Sequence, residues 1–410
     1  MLIRVYGKLA WRNVLRNKRR TFIAGTAIGI GLASLMFTDA LMLGMESNMI
    51  DSATSSFMGE GQIHHEDYRE SFDVEMTIPN LTEVIERLES VTFVEHFTPR
   101  TLSLGMLSSP SNVGSVQMIG VDPASEQYLS ETDDVIVGGS YFEGDSEHDI
   151  LIGKKLAELL EVELGDRVVL TTAEAHTGDL AQEMFRVSGI FYFNVTEMDR
   201  YFAFVRISRA QQMLGLPNQV HQIALKFTDK NIGRNEIHPF WSRHTRDGSE
   251  AVGWTVLMPQ LEKAFDLADI SKWIVGLILF AVVALVIVNS LFMSLYERMF
   301  EFGVLRAVGT RPVAMGRLVV FEAAALAVIA ILLGMVLGLG VIYILSQTGI
   351  DYGGIEYEGV TFRKLLYPQT KISQFVVYPI CVFLFTVLIA IYPAAYASRL
   401  TPARAMRKSF

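Results

Sequence analysis

The chain has 410 residues, 50% of which are hydrophobic, and it carries a formal net charge of −9 at pH 7. This composition is too apolar for an ordinary soluble enzyme and too charged for a protein that lies entirely within a membrane. It indicates a membrane protein with one sizeable soluble domain. The single cysteine, Cys381, excludes a disulfide framework, and we interpret it as a small hydrophobic residue that is buried or faces lipid.

The first 20 residues are strongly basic, with seven Lys or Arg and no acidic residue. The apolar segment that follows, residues 21–45, is longer than the hydrophobic region of a typical signal peptide, and no clear small-x-small cleavage site follows it before Glu46. We therefore predict that this segment is a retained membrane anchor rather than a cleaved leader.

Four segments are long and apolar enough to cross about 30 Å of hydrocarbon, a thickness that requires about 20 helical residues. They are residues 21–45, 272–295, 318–345 and 372–395. Basic residues predominate in residues 1–20, in the connector 296–317 and in the tail 396–410, which the positive-inside rule assigns to the cytoplasm. The large loop 46–270 and the short loop 349–371 then face the opposite side.

The large loop contains 37 acidic and 16 basic residues and all eight histidines, so it is a poor nucleic-acid surface. Strands are predicted at residues 116–122, 148–153, 167–172, 185–193, 200–208 and 221–227, and helices at residues 81–90, 154–162 and 208–216. This mixture predicts an α+β extracytoplasmic domain inserted between the first and second spans.

Apolar stripes mark both edges of this domain. They comprise Leu41, Met45, Met49, Ala53 and Phe57 after the first span, and Leu261, Ala264, Phe265 and Ala268 before the second. Both have helical spacing, so the two span helices are predicted to continue beyond the bilayer as a stalk about 20 Å high, facing a partner. The alternative is that these helices simply pack on the domain.

The chain contains no P-loop, no GxSxG and no HExxH sequence, so no enzyme signature is present. The sequence HHED at residues 64–67 is interpreted as a solvated loop rather than a metal site, because adjacent side chains on a strand point to opposite faces. The scattered acidic residues are interpreted as a solvated surface.

Two acidic residues fall within the spans, Asp39 near the outer interface and Glu322 near the inner one, where an acid costs little. Neither lies at the midplane, which disfavours a proton relay and ion-driven transport. Two GxxxG motifs, Gly25–Gly29 and Gly334–Gly338, are a weak indication of close helix packing.

The connector between the second and third spans predicts a short amphipathic helix. Phe300, Val304 and Val308 share one face, together with Ala307, and Gly309 and Pro312 can end the helix. A glycine in mid-helix, Gly303, suggests close approach by another group. The alternative is a helix that lies on the lipid surface without a partner.

This connector resembles the coupling region of ABC-transporter permeases of the FtsX, macrolide-exporter and lipoprotein-releasing group, which have the pattern E-R-x-x-E-I-G-x-x-R-A-x-G. The matching residues are Glu297, Arg298, Glu301, Phe302, Gly303, Arg306, Ala307 and Gly309, with Phe302 in place of the usual isoleucine and Phe300 at a frequently basic position. Residues 9–21, 61–68, 150–170, 321–326 and 392–407 are also similar to segments of that family. The lipoprotein-releasing permeases are the most similar branch in length and domain size.

The resemblance implies four spans per subunit, a periplasmic domain, and a location in the bacterial inner membrane. It implies that two copies of a separate cytoplasmic ATPase, which bind ATP and magnesium, dock on the coupling helix, and that this chain binds no cofactor. A second permease copy or a paralogue would complete the complex, with a periplasmic carrier, adaptor or lipoprotein as a further partner. Residues 170–185, where the carrier-recruiting member has a hook-like hairpin, are short here and lack prolines.

On this resemblance, Phe302 is expected to be the apolar plug of the ATPase contact, ringed by charged residues. The expected docking residues are Glu297, Arg298, Phe300, Glu301, Phe302, Gly303, Arg306 and Gly309. The expected function is extraction or export of a lipoprotein or other hydrophobic cargo by mechanotransmission. The alternatives are a mechanotransmitter that activates a periplasmic partner such as a cell-wall hydrolase, and a membrane-tethered receptor or enzyme without an ATPase.

Overall fold

The computed structural model describes residues 2–142, 146–351, 356–357, 360–361 and 365–399. These residues fall into two compact units. The membrane unit comprises the described parts of Met1–Ser47, Phe265–Asp351 and Leu365–Phe410, and the external unit comprises those of Asn48–Ala264 and Tyr352–Lys364.

Helices account for most of the membrane unit, and shorter helices lie in the external unit. In chain order the helices are α1 (Leu2–Arg16), α2 (Lys18–Ala53), α3 (Tyr68–Ser71), α4 (Leu81–Glu89), α5 (Pro123–Glu126), α6 (Lys154–Leu160), α7 (Thr196–Tyr201), α8 (Ile207–Leu214), α9 (Asn231–Arg234), α10 (Pro239–His244), α11 (Trp254–Leu257), α12 (Pro259–Glu297), α13 (Met299–Ala307), α14 (Pro312–Thr348) and α15 (Gln374–Ser398). The shorter helices α3 to α11 lie in the external unit. A π-helical turn, Thr54–Met58, follows α2.

Strands account for the centre of the external unit. They are β1 (Gly61–His65), β2 (Val94–Ser108), β3 (Val113–Val121), β4 (Ile136–Gly139), β5 (Asp149–Gly153), β6 (Arg167–Ala173), β7 (Leu180–Phe191), β8 (Phe202–Arg206), β9 (Gln222–Phe227), β10 (Ser249–Gly253), β11 (Glu356–Tyr357) and β12 (Val360–Thr361). The first ten form one mixed sheet in the order β10-β1-β9-β2-β3-β8-β5-β7-β4, with β6 paired to β2 and β7. The short helices pack on this sheet, and three apolar clusters lie between them and the strands.

Four of the described helices, α2, α12, α14 and α15, are long and apolar enough to span a membrane. The external unit with its mixed sheet lies in the chain between the first and the second of them, which confirms the predicted fold class. The helices α2, α12 and α14 extend beyond the predicted apolar segments at both ends, and the additional turns contain polar residues. The tail after Arg399 and residues 352–355, 358–359 and 362–364 of the loop 349–371 lie outside the described residues.

The six predicted strands correspond to β3 and β5 to β9, and the three predicted helices to α4, α6 and α8, so these predictions are confirmed. Four strands of the sheet, β1, β2, β4 and β10, were not predicted. The longest of them, β2, contains Pro99 and Gly105, two residue types that weaken the signal of a strand.

The interpretation of the HHED sequence as a solvated loop is wrong for His64. This histidine lies on β1, between β9 and β10, and is fully buried. Burial lowers the pKa of the imidazole to about 4, and the positive charge of Arg69 acts in the same direction. His64 is therefore a neutral residue of the sheet at neutral pH.

The predicted apolar stripes are largely covered within the single chain. Met49 and Leu261 are buried, so they are not available to a second copy as an exposed stalk surface. Phe57 belongs to the external unit, where its ring centroid lies 5.2 Å from that of Phe202 and 5.8 Å from that of Phe204. The helix ends with the π-helical turn and a glycine, so Phe57 turns into the domain.

The remaining stalk residues, Leu41, Met45 and Phe265, are half-buried. Their predicted part in pairing with a second copy stays a prediction.

The GxxxG motifs mark a close crossing of α2 and α14 within one chain. A methyl group added at Gly29 would lie 2.9 Å from the Ala330 carbonyl oxygen, and one added at Gly334 would lie 2.7 Å from the Gly29 carbonyl oxygen. Both distances are shorter than a normal van der Waals contact, so only glycine permits this backbone approach.

Gly334→Val is therefore expected to destabilise the membrane unit by about 1–3 kcal/mol, because the added side chain must separate α2 from α14. Gly340→Val is the matched control, since it makes the same change in the same helix where nothing lies within 4 Å. The measurement is resistance of the purified protein to unfolding by sodium dodecyl sulfate. Equal resistance of the two variants would contradict the close crossing.

Candidate functional site

The short helix α13 lies between the second and third spans and is separated from both by residues that interrupt the helical conformation. Arg298 leaves the helical conformation after α12, with φ −112° and ψ 17°. After α13, Gly309 adopts φ +94°, and Pro312 occupies the first turn of α14, where its missing N–H costs nothing. The helix proper is thus nine residues long, shorter than the predicted connector 296–317.

A buried ion pair holds the beginning of α13 against α14. The Arg298 guanidinium contacts the Glu322 carboxylate, and both side chains are almost fully buried, at 11% and 7% exposed. The Asn13 side chain of α1 donates a hydrogen bond of 2.6 Å to the same carboxylate. Because a buried charge is stable only when it is paired and hydrogen-bonded, these three side chains tie α1, α13 and α14 together.

Two further ion pairs at the surface join α1 to α13 and α2 to α12. Arg16 contacts Glu301 at 2.9 Å, and Arg20 contacts Glu297 at 2.7 Å. The hydrogen bond from Arg298 to Glu301, at 2.9 Å, and that from Arg16 hold the pKa of the Glu301 carboxyl below its usual range, although partial burial acts the other way. Glu301 is therefore ionised at neutral pH, where it keeps both pairs.

Phe302, the expected apolar plug of the ATPase contact, is buried within its own chain. Its side chain is only 1% exposed and packs in an apolar cluster with α12, α14 and α15. The Arg298 guanidinium lies 5.4 Å from its ring centroid. Gly303 is buried as well, so Phe302 and Gly303 attach α13 to its own chain rather than to a partner.

The opposite face of α13 is apolar and exposed. Phe300 is 54% exposed, Val304 41% and Val308 82%. These residues share the predicted face, together with the exposed Ala307, and we call them the apolar face of α13. Periodicity predicted this face correctly, but it did not predict that the face points away from the rest of the chain.

The other predicted docking residues occupy the ends of the helix. Arg306 donates a hydrogen bond of 3.2 Å to the Thr310 carbonyl oxygen, which satisfies a group at the carboxyl end of the helix. Gly309 is exposed in the turn that follows, and Glu297 is exposed at the end of α12. Three of the eight predicted docking residues, Arg298, Phe302 and Gly303, are therefore internal.

At the outer end of the membrane unit, Asp39 is paired rather than solvated. Its carboxylate accepts a hydrogen bond of 2.7 Å from the Gln374 amide, and the Lys272 ammonium lies 3.3 Å away. The first, second and fourth spans are thus joined by one acid that is only 8% exposed. From the sequence, Asp39 was expected only to lie near the outer membrane interface, where burying an acid costs little free energy.

A second buried ion pair, which the sequence did not indicate, lies in the external unit where the chain leaves α2. Arg100 on β2 and Glu126 on α5 are both 0% exposed, and their two hydrogen bonds measure 2.9 and 2.6 Å. The remaining guanidinium nitrogen donates to the Phe57 carbonyl oxygen at 2.5 Å. The Arg100 guanidinium also lies 3.9 Å from the centroid of the Phe57 ring. Arg100 therefore fastens the end of the π-helical turn to the central sheet.

Comparison with known proteins gives a family for both parts of the chain. The family described as MacB-like periplasmic core domain matches residues 21–232, which is more than half of the chain. The family described as FtsX-like permease C-terminal matches residues 273–402, which include α13 and the last three spans.

Individual relatives agree with this assignment. The chain is 24% identical over 428 residues to the lipoprotein-releasing system transmembrane protein LolC of Xylella fastidiosa, with 96% of each chain covered. It is 24% identical to LolC of Neisseria meningitidis, with 67% of this chain and 75% of the relative covered. LolE of Haemophilus influenzae is 20% identical, with 81% and 82% covered.

Among solved structures, the periplasmic region of MacB from Actinobacillus actinomycetemcomitans is similar, with 13% identity, a TM-score of 0.35, and coverage of 49% of this chain and 92% of that one. The four apolar helices and the family matches together describe a multi-pass inner-membrane protein with a periplasmic domain. The chain belongs to the FtsX/MacB-type family of ABC transporter permeases.

Proposed function

We propose that this chain is the membrane subunit of a transporter whose ATP is hydrolysed by a separate ATPase bound to the apolar face of α13. The observation that carries the proposal is the contrast between the two sides of this helix. One side is held by the buried Arg298–Glu322 pair and Phe302, whereas the other exposes Phe300, Val304 and Val308. An exposed apolar patch on a rigidly held helix is typical of a protein–protein contact.

The charges around this face fit such a contact. Glu297 and Glu301 are engaged with Arg20 and Arg16 from the amino-terminal segment, which leaves the apolar residues as the accessible centre of the surface. Aromatic residues such as Phe300 are favoured at the centres of interfaces. Since the chain has no P-loop, ATP and magnesium would be bound by the partner and not by this chain.

The proposed work is mechanical. The helix α2 runs without interruption from Lys18 to Ala53, and the turn that follows is fastened to β2 through Arg100. A displacement of α2 that is caused by ATP binding below the membrane would reach the sheet through this connection, because β2 pairs with β3, β6 and β9. Arg100 is on this account a positioning residue for force transmission.

The proposed cargo is a lipoprotein or another hydrophobic molecule released on the periplasmic side. Its support is the similarity to permeases of lipoprotein-releasing systems along most of the chain. A second permease subunit, identical or paralogous, would complete the transporter.

Val308→Asp is expected to reduce recovery of a P-loop ATPase with the purified permease at least tenfold, because it places a charge at the most exposed position of the apolar face. The measurement is the amount of ATPase that copurifies from membranes. Lys8→Asp, at an exposed position of α1 outside this face, is the control and should have no effect. Undiminished recovery with Val308→Asp would contradict the proposed docking surface.

Replacing the buried pair by Arg100→Met and Glu126→Met together is expected to separate ATP hydrolysis from movement of the periplasmic domain. A buried ion pair can often be replaced by apolar residues without loss of stability, whereas the bond to the Phe57 carbonyl is lost. The measurement is nucleotide-dependent hydrogen exchange in β2 and β9 of the whole complex, together with its ATPase rate. The expected result is a normal ATPase rate and no exchange response.

The control for this experiment is the pair Arg209→Met and Glu147→Met, which removes a partly exposed ion pair of 2.8 Å elsewhere in the same unit. It should leave the exchange response intact. A normal response in the Arg100 and Glu126 variant would show that force reaches the sheet by another route.

A further inference from the structure

A cavity of about 550 Å³ opens between the amino-terminal part of α2 and the carboxyl-terminal part of α12. Its rim lies at the cytoplasmic end of the spans and includes Arg19, Arg20 and Glu297. Its inner wall is apolar and includes Ile23, Val286 and Met293. The cavity is distinct from the apolar face of α13, although its rim includes the Arg20–Glu297 pair that the proposed function places among the charges around that face.

The rim carries an excess of positive charge. Arg20 is paired with Glu297 at 2.7 Å, and the Asn17 amide donates to the same carboxylate at 3.3 Å. Arg19 is exposed, and within the described part of the chain it has no ion-pair partner. The Arg19 guanidinium is therefore unpaired, whereas Glu297 compensates the charge of Arg20. Both arginines lie at the level expected for the lipid headgroups.

A polar group lies deeper in the same cavity. Asn289 precedes Glu297 by eight residues, which corresponds to about 12 Å along a helix. Its side chain is exposed to the cavity, and the residues that the structure describes offer its amide no hydrogen-bond partner. Ser290 lies beside it in the lining. An amide without a hydrogen-bond partner is costly in a lipid environment, which favours an occupant of this cavity that supplies a hydrogen-bonding group.

The cavity is therefore amphipathic along its depth. From Glu297 to Val286 it extends about 16 Å, with cationic groups at the rim, amide and hydroxyl groups further in, and apolar side chains along its length. We propose that it binds one anionic phospholipid of the cytoplasmic leaflet. The phosphate contacts Arg19 and Arg20, the glycerol ester oxygens accept from Asn289, and an acyl chain follows Ile23 and Val286.

Charge favours this occupant over a second copy of the chain. The described cytoplasmic segments, residues 2–20 and 296–317, contain 11 basic and two acidic residues. A second copy at this rim would bring further positive charge to Arg19, whereas an anionic lipid compensates it.

The test measures lipids retained by the purified full-length protein in native mass spectrometry, with phosphatidylglycerol and phosphatidylethanolamine supplied in equal amounts. The wild type is expected to retain phosphatidylglycerol preferentially. Arg19→Gln should reduce this retention about fivefold, the factor that corresponds to about 1 kcal/mol for one basic residue near the membrane surface. Arg12→Gln, an exposed arginine of α1 outside the cavity, should leave it unchanged.

A second variant fills the cavity without changing charge. Met293→Trp should displace phosphatidylglycerol, whereas Leu285→Trp, at an exposed position of the same helix outside the lining, should not. Unchanged retention in both Arg19→Gln and Met293→Trp would overturn the proposal, as would an equal loss in the two controls. A disulfide-linked dimer of a Met293→Cys, Cys381→Ala protein in native membranes would also overturn it, because a second copy would then occupy the cavity.

Discussion

The ion pair between Arg298 and Glu322 determines which side of α13 is available to a partner. Both charges are withdrawn from solvent, and each is further hydrogen-bonded, Arg298 to Glu301 and Glu322 to Asn13. Separating two such groups would leave a buried charge without a partner, which costs several kcal/mol. The helix is therefore held in one orientation, with Phe302 inward and Phe300, Val304 and Val308 outward. Under the proposed function, this fixed orientation would let a force from the bound ATPase reach α14 and α1.

A second buried ion pair lies next to the turn that follows the carboxyl-terminal end of α2. Arg100 and Glu126 are completely buried, and the hydrogen bond from Arg100 to the Phe57 carbonyl joins the turn that ends α2 to the sheet. The two ion pairs lie in different units of the chain, and each joins neighbouring elements within its own unit. Within the membrane unit, α2 has a close glycine contact at Gly29, which allows no side chain between α2 and α14.

The overall plan could be predicted from sequence because its signals are local. About 20 consecutive apolar residues define a span, and basic flanks define its orientation. The orientation of α13 could not be predicted from sequence, because periodicity identifies two faces of a helix without showing which of them contacts the rest of the protein. The family pattern placed Phe302 at the partner surface, yet its side chain packs in an apolar cluster with α12, α14 and α15. Arg100 was missed because Pro99 precedes it and obscures the strand, and because its partner is 26 residues away.

The most direct test is photocrosslinking from α13 in living cells. A benzoylphenylalanine side chain is introduced at Phe300, at Val308 or at Phe302, and the irradiated permease is isolated. The account predicts that positions 300 and 308 capture a P-loop ATPase and that position 302 captures none, because its side chain is enclosed by the permease itself. Capture from position 302 alone, or capture of an ATPase from none of the three, would contradict it.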